Sequence, residues 1–240
     1  MAGADPSAIA GRWSPDGKSI LWYASCSSVC FDQVEVGSFN TNTGAVSAIH
    51  TVATNCACWA DWTPDGASIT YLTSASGGDN IMIVPASGGT PRALTPSPVT
   101  ATASGWMAWT PDGQFLLYSA SSCPGLASPS ICKVPAAGGA SSLVAPIQTN
   151  SLAIKPDFSM IAWTFGGNLF AASFNRSLQV TNVHEVGLPT GASGAQYPVF
   201  ERTGQFIFAA CSTGICASHL SDGAASIVGG TTNGDTWPDA

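Results

Sequence analysis

The sequence predicts an all-β protein, a β-propeller of four-stranded antiparallel blades, and three observations carry that prediction. Only 9% of the 240 residues are charged, against ~25% in an average soluble domain. Glu35, Glu185 and Glu201 are the only glutamates, and Lys18, Lys133 and Lys155 the only lysines. Surface helices are normally dressed with those long side chains, so a helical protein is excluded. The 26 glycines and 16 prolines suit short strands joined by tight turns. A single turn motif also returns about every 47 residues, and such a period marks a repeat architecture.

The motif is Trp13-Ser14-Pro15-Asp16-Gly17, repeated as Trp62-Thr63-Pro64-Asp65-Gly66 and Trp109-Thr110-Pro111-Asp112-Gly113. Degenerate copies stand at Ile154-Lys155-Pro156-Asp157-Phe158 and Phe200-Glu201-Arg202-Thr203-Gly204. Proline presets the second position of a type I turn, aspartate suits the third, and glycine accepts the left-handed conformation that follows. An apolar run follows each copy: 19–23, 68–72, 115–118, 160–163 and 206–208. A further run leads to a glycine turn, as in Ile81 to Val84 before Gly88-Gly89 and Ile131 to Val134 before Gly138-Gly139. One more run, such as Ala45 to Val52, completes each unit. A sheet of this size cannot bury both faces alone, and radial packing of such sheets is the propeller solution. The tryptophan ahead of each turn is expected to fill the gap between neighbouring sheets.

Trp-Ser/Thr-Pro-Asp-Gly, a hydrophobic strand and a Gly-Gly turn together resemble the repeat of TolB-type, WD40-like propellers. The resemblance covers residues 5–240 and implies a single propeller domain over residues 1–240. Propellers of this kind serve as protein-docking modules, as gating domains and occasionally as sugar binders, so the motif speaks for fold more than for function. Five complete sets of outer strands favour five blades. TolB relatives usually have six, so a truncated six-bladed ring is the alternative. Ser7 to Trp13 and Trp237 to Ala240 both read as inner strands.

A net charge of −7 argues against nucleic acid and anionic membranes, both of which require clustered cations. No apolar run approaches the ~18 residues of a spanning helix. The eight cysteines fall as Cys26/Cys30, Cys56/Cys58, Cys123/Cys132 and Cys211/Cys216. Even numbers in close pairs read as a disulfide framework. Cys26–Cys30, Cys123–Cys132 and Cys211–Cys216 would each staple a loop between second and third strands, all on one face. Cys56-Ala57-Cys58 is open among a short disulfide, free thiols and a soft metal site. An oxidising compartment follows, periplasmic or extracellular, with a leader absent from this chain.

Chemistry-bearing residues are few. There is no nucleophile elbow, no phosphate loop, no dinucleotide fingerprint and no His-Glu-x-x-His, so neither cofactor nor metal is expected. His50, His184 and His219 are placed on outer strands. Aromatic residues recur three positions before the motif start at Trp59, Trp106, Tyr197 and Trp237, a series broken by Ala10 and Ser151. Packing between blades is the ordinary role of such residues, and stacking on sugar rings is the functional one. Asp61 and Asp239 occupy equivalent inner-strand positions, and a glycan-active enzyme needs two facing carboxylates. The expected function is a non-catalytic module that docks another protein on the face bearing the stapled loops. Glycan binding through the aromatic series is the alternative, and a glycan-active enzyme stands behind both.

Overall fold

The computed structural model describes residues 9–27, 30–54, 58–75, 78–96, 107–126 and 128–228. Twenty strands form five four-stranded antiparallel sheets, each in simple chain order, with no helix among the described residues. The first sheet holds β1 (Ile9–Trp13), β2 (Ser19–Ser27), β3 (Cys30–Phe39) and β4 (Val46–Thr54). The second holds β5 (Cys58–Trp62), β6 (Ser68–Ala75), β7 (Gly78–Pro85) and β8 (Arg92–Ala93). The third is β9 (Met107–Trp109), β10 (Phe115–Ala120), β11 (Ser130–Pro135) and β12 (Ser142–Ala145). The fourth is β13 (Ser151–Ile154), β14 (Met160–Phe165), β15 (Asn168–Phe174) and β16 (Val180–Val186). The fifth is β17 (Gln196–Phe200), β18 (Phe206–Cys211), β19 (Gly214–His219) and β20 (Ala225–Val228).

These are the five blades of a β-propeller. Because β1 pairs with β2, the first sheet takes its inner strand from the amino-terminal stretch. The competing copy, Trp237 to Ala240, lies outside the described residues. The chain groups into two compact units, residues 1–101 with 134–140, and residues 102–133 with 141–240.

The turn motif works as a hydrogen-bonded cassette. In the first copy Gly17 N–H donates to the Ser14 carbonyl at 2.8 Å with Gly17 at φ 68°. The Ser14 hydroxyl donates to Asp16 at 2.7 Å and accepts the Ser19 N–H at 2.9 Å. Thr63 with Asp65 and Thr110 with Asp112 repeat the arrangement, at 2.6 and 2.7 Å between hydroxyl and carboxylate. The Ser/Thr position therefore ties the turn to the strand that follows it. In the fifth copy Glu201 stands at the Ser/Thr position, and its carboxylate accepts the Thr203 N–H at 2.7 Å and, at 3.4 Å, the Gln205 N–H that an aspartate would hold. In the fourth, Phe158 occupies the glycine position at φ 65°.

In the first unit, one core cluster joins Leu21, Tyr23, Val34 and Val36 of the first sheet to Trp62, Ile69, Tyr71 and Val84 of the second. Trp62 fills the gap expected of it, and its indole N–H donates to the Arg12 carbonyl at 3.1 Å. Trp13 does not fill one: it is 43% exposed, with its ring edge-on to Phe39 of its own sheet at 4.6 Å. In the second unit, Leu117 and Ile131 pack with Leu152, Phe158, Ile161 and Trp163. A second cluster there joins Ala162, Leu169 and Val186 to Phe200, Ile207 and Ala209.

Edge strands invite pairing with other chains unless something blunts them. Here β4 and β16 each break their ladder at a residue with positive φ, Ala48 and Asn182. His50 and His184 each turn Nδ1 onto the carbonyl of that residue, at 3.0 Å. Two of the three histidines thus hold the bulges of outer strands. His219 ends β19, the third strand of its sheet.

Candidate functional site

The aromatic series marks a backbone feature that its sequence pattern does not reveal. Trp59 and Tyr197 both have positive φ, 70° and 53°, in a region that bulky residues rarely adopt. Both sit where the first strand slips register against the second, between Cys58 and Asp61 in β5 and between Gln196 and Val199 in β17. Such a bulge re-aims a side chain at the end of a sheet. It also removes an N–H from the ladder, and the preceding sheet supplies a hydroxyl for it. Ala60 N–H donates to the buried Tyr23 hydroxyl, and Tyr197 N–H donates to Ser151 Oγ at 3.2 Å. Tyr23→Phe keeps the ring and leaves that amide unpaired, at a cost of about 1–3 kcal/mol. A urea titration of the variant should show this loss; an unchanged midpoint would mean the hydroxyl contributes nothing to the bulge.

Asp61 stands two residues beyond Trp59. Burial raises its carboxyl above the usual range, partly offset by the nearby Arg12 guanidinium and by the Trp62 N–H, which donates at 2.9 Å. A carboxyl whose folded pKa is raised costs stability when ionised, and the cost disappears as pH falls below its unfolded value of about 3.9. Asp61→Asn should therefore raise the melting temperature at pH 7, with an increment that shrinks toward nothing below about pH 4. The turn carboxylates behave oppositely. The Thr63 hydroxyl and the Ala67 N–H hold Asp65 low, and the Thr203 hydroxyl and N–H hold Glu201 low. Their stabilisation is present at neutral pH and is lost on acidification. Trp106, Trp237 and Asp239 lie outside the described residues, so the pairing of Asp61 with Asp239 lies outside them too.

In the second unit the series is broken by Ser151, and a cleft of about 180 Å³ opens beside it. It is lined by Asn150, Ser151, Thr164, Gly167, Ala195, Gln196 and Tyr197. Ser151 Oγ and Thr164 Oγ1 share a hydrogen bond of 2.6 Å, and the Thr149 hydroxyl donates to the Ser151 carbonyl at 2.8 Å. Burial pushes the Tyr197 phenol up, so the ring stays neutral. Among the described residues, no ionisable group other than that phenol lines the cleft. The loop entering β17 is pinned to the β18–β19 hairpin, Ser212 N–H donating to the Ser193 carbonyl at 2.8 Å.

A second hollow, about 490 Å³, is lined by Lys155, Met160, Gly204, Gln205, His219, Leu220 and Ser221. Asp157 lies 3.1 Å from the Lys155 ammonium, and Asp222 lies 2.8 Å from His219 Nδ1. Ser221, His219 and Asp222 do not make a nucleophilic triad, because hydroxyl and carboxylate both meet Nδ1. No group of three or more metal-ligating side chains gathers among the described residues.

Two of the expected disulfides are present, Cys123–Cys132 and Cys211–Cys216, with Cα separations of 5.9 and 6.1 Å. Cys211–Cys216 bridges β18 and β19, whereas Cys123–Cys132 ties the connection after β10 to β11. Cys123 and Leu126 close a tight turn through Pro124 and Gly125, the latter at φ 87°, as a type II turn requires. The side chains of Cys26, Cys30 and Cys58, and the whole of Cys56, lie outside what the structure describes.

No family model and no curated protein matches the sequence. Solved structures match its shape. A protein assigned as TolB from Agrobacterium tumefaciens superposes with a TM-score of 0.68 at 17% identity, covering 90% of this chain and 78% of that one. The fold is that of a TolB-like β-propeller. A nidogen/laminin complex matches at TM-score 0.65 and 13% identity, over 91% of this chain and 78% of that one. A protein assigned as a 6-phosphogluconolactonase from Bacteroides uniformis matches at 0.64 and 16%, over 95% and 73%. One neighbour is a protein complex and another is assigned as an enzyme, so the TolB-like fold leaves the choice between docking and catalysis to the site.

Proposed function

We propose that this TolB-like propeller is a non-catalytic docking module that binds another protein through the end bearing its disulfide-bridged hairpins. The observation that carries the reading is the placement of Cys123–Cys132 and Cys211–Cys216 across second-to-third strand connections of one unit. Both connections project exposed residues, Ser121, Ser122, Pro124 and Gly125 in one and Ser212 in the other. A small closed loop gains only a few kcal/mol from its bridge, so much of the effect is local rigidity. Rigid loops lose less conformational freedom on binding, which favours recognition. The match to a nidogen/laminin complex supports a protein partner without identifying one. The disulfides favour a periplasmic or extracellular location, and no described helix is long and apolar enough to cross a membrane.

The test is recovery of a partner from the source organism with the intact protein as bait. One stoichiometric partner is expected, held at least several-fold less tightly by Cys123→Ser/Cys132→Ser or Cys211→Ser/Cys216→Ser. Recovery of no partner, or equal retention by folded variants of both hairpins, overturns the reading. The catalytic alternative predicts glycan hydrolysis that Asp61→Asn abolishes.

A further inference from the structure

We infer that the cleft beside Tyr197 is a binding site for one neutral sugar residue, a function beyond the docking role proposed above. The space follows from a missing side chain. Three aromatic residues, Trp59, Trp106 and Tyr197, take the position that Ser151 takes in the fourth sheet. Ser151 is small enough to leave a hollow between the first strands of the fourth and fifth sheets, both within one unit. At about 15 Å³ for each water-sized position, the 180 Å³ admits on the order of a dozen heavy atoms. That is the size of a hexose and not of an oligosaccharide.

The lining selects the chemistry. With no charged side chain on its walls among the described residues, these walls offer nothing to neutralise a phosphate, a carboxylate or an ammonium group, and desolvating one there is costly. Asn150 and Gln196 are exposed at the rim, and neither side-chain amide has a hydrogen-bond partner among the described residues. Each amide carries both donors and an acceptor, matching hydroxyl groups that donate and accept in turn. Tyr197 lines the same cleft, partly exposed, an apolar ring with a polar tip. The bulge at φ 53° and the bond from its N–H to Ser151 Oγ fix its backbone, while Ser151 is itself held by Thr164. The wall is therefore organised before any ligand arrives, which lowers the cost of binding.

The test uses the full chain and free monosaccharides, D-glucose, D-galactose, D-mannose and N-acetyl-D-glucosamine, with D-glucuronate as the charged control. Saturation-transfer NMR should show at least one neutral sugar bound, with Tyr197 ring protons shifted and glucuronate weaker. Asn150→Ala and Gln196→Ala each remove one amide from an exposed position and should weaken binding by up to about tenfold. Ser151→Trp should abolish it by restoring the bulk found in other sheets. No transfer from any neutral sugar, or undiminished binding in both amide variants, overturns the proposal. So does loss of a protein partner from those variants without sugar binding, an outcome that assigns the cleft to the docking surface. Failure to bind sugar leaves the partner-recovery experiment unaffected, so the two readings fail separately.

Discussion

Phe158→Gly should destabilise the protein by about 2–3 kcal/mol, although it restores the residue that the turn motif carries elsewhere. Phe158 has φ 65°, alongside 68° to 69° for Gly17, Gly66, Gly113 and Gly204 at the equivalent position. Holding an L-residue there costs roughly 1–2 kcal/mol, which glycine would relieve. Against that gain stands the side chain. Phe158 is 4% exposed, its ring lies parallel to Phe174 with centroids 6.4 Å apart, and the Arg176 guanidinium sits 4.7 Å from the Phe158 centroid. Truncating a buried phenylalanine costs about 3–5 kcal/mol, so packing outweighs backbone strain. Urea unfolding of the variant measures the difference. A gain in stability would show that the strain dominates and that the ring contributes little to the core.

The same position shows how much of this molecule was legible in its sequence. The spacing of the turn motif was sufficient for the five sheets, because the turn is a local device whose residues each satisfy a stated dihedral or hydrogen bond. Phe158 and Glu201 blurred the fourth and fifth copies, yet each performs the missing residue's task by another route. One adopts the glycine dihedral, and the other reaches the equivalent amide, Gln205 N–H, from the Ser/Thr position with a longer carboxylate. The bulges at Trp59 and Tyr197 were not legible, because a register slip depends on what the neighbouring sheet offers. Tyr23 and Ser151, the residues that accommodate those slips, stand 37 and 46 positions earlier in the chain. Ser151 read as a gap in an aromatic series. In the folded protein that gap is the space around which a site is built.

Trp62→Ala and Trp13→Ala remove the same residue from the same motif and should differ severalfold in effect. Trp62 is 6% exposed and packs in a cluster drawn from the first two sheets, so its loss should cost about 3–5 kcal/mol. For a chain of this length that corresponds to a melting temperature lower by about 6–20 °C. Its indole N–H also leaves the Arg12 carbonyl, which loses a donor from the adjoining sheet. Trp13 is 43% exposed, and its ring meets Phe39 edge-on, a contact worth about 0.5–1.5 kcal/mol. Its replacement should cost little more than that contact. Both turns keep their Ser/Thr, Pro, Asp and Gly, so the cassettes themselves are untouched by either change. Parallel thermal melts therefore separate two roles for the motif tryptophan. Unequal losses mean that it stabilises by burial between sheets, whereas equal losses would mean that it acts on the turn it precedes.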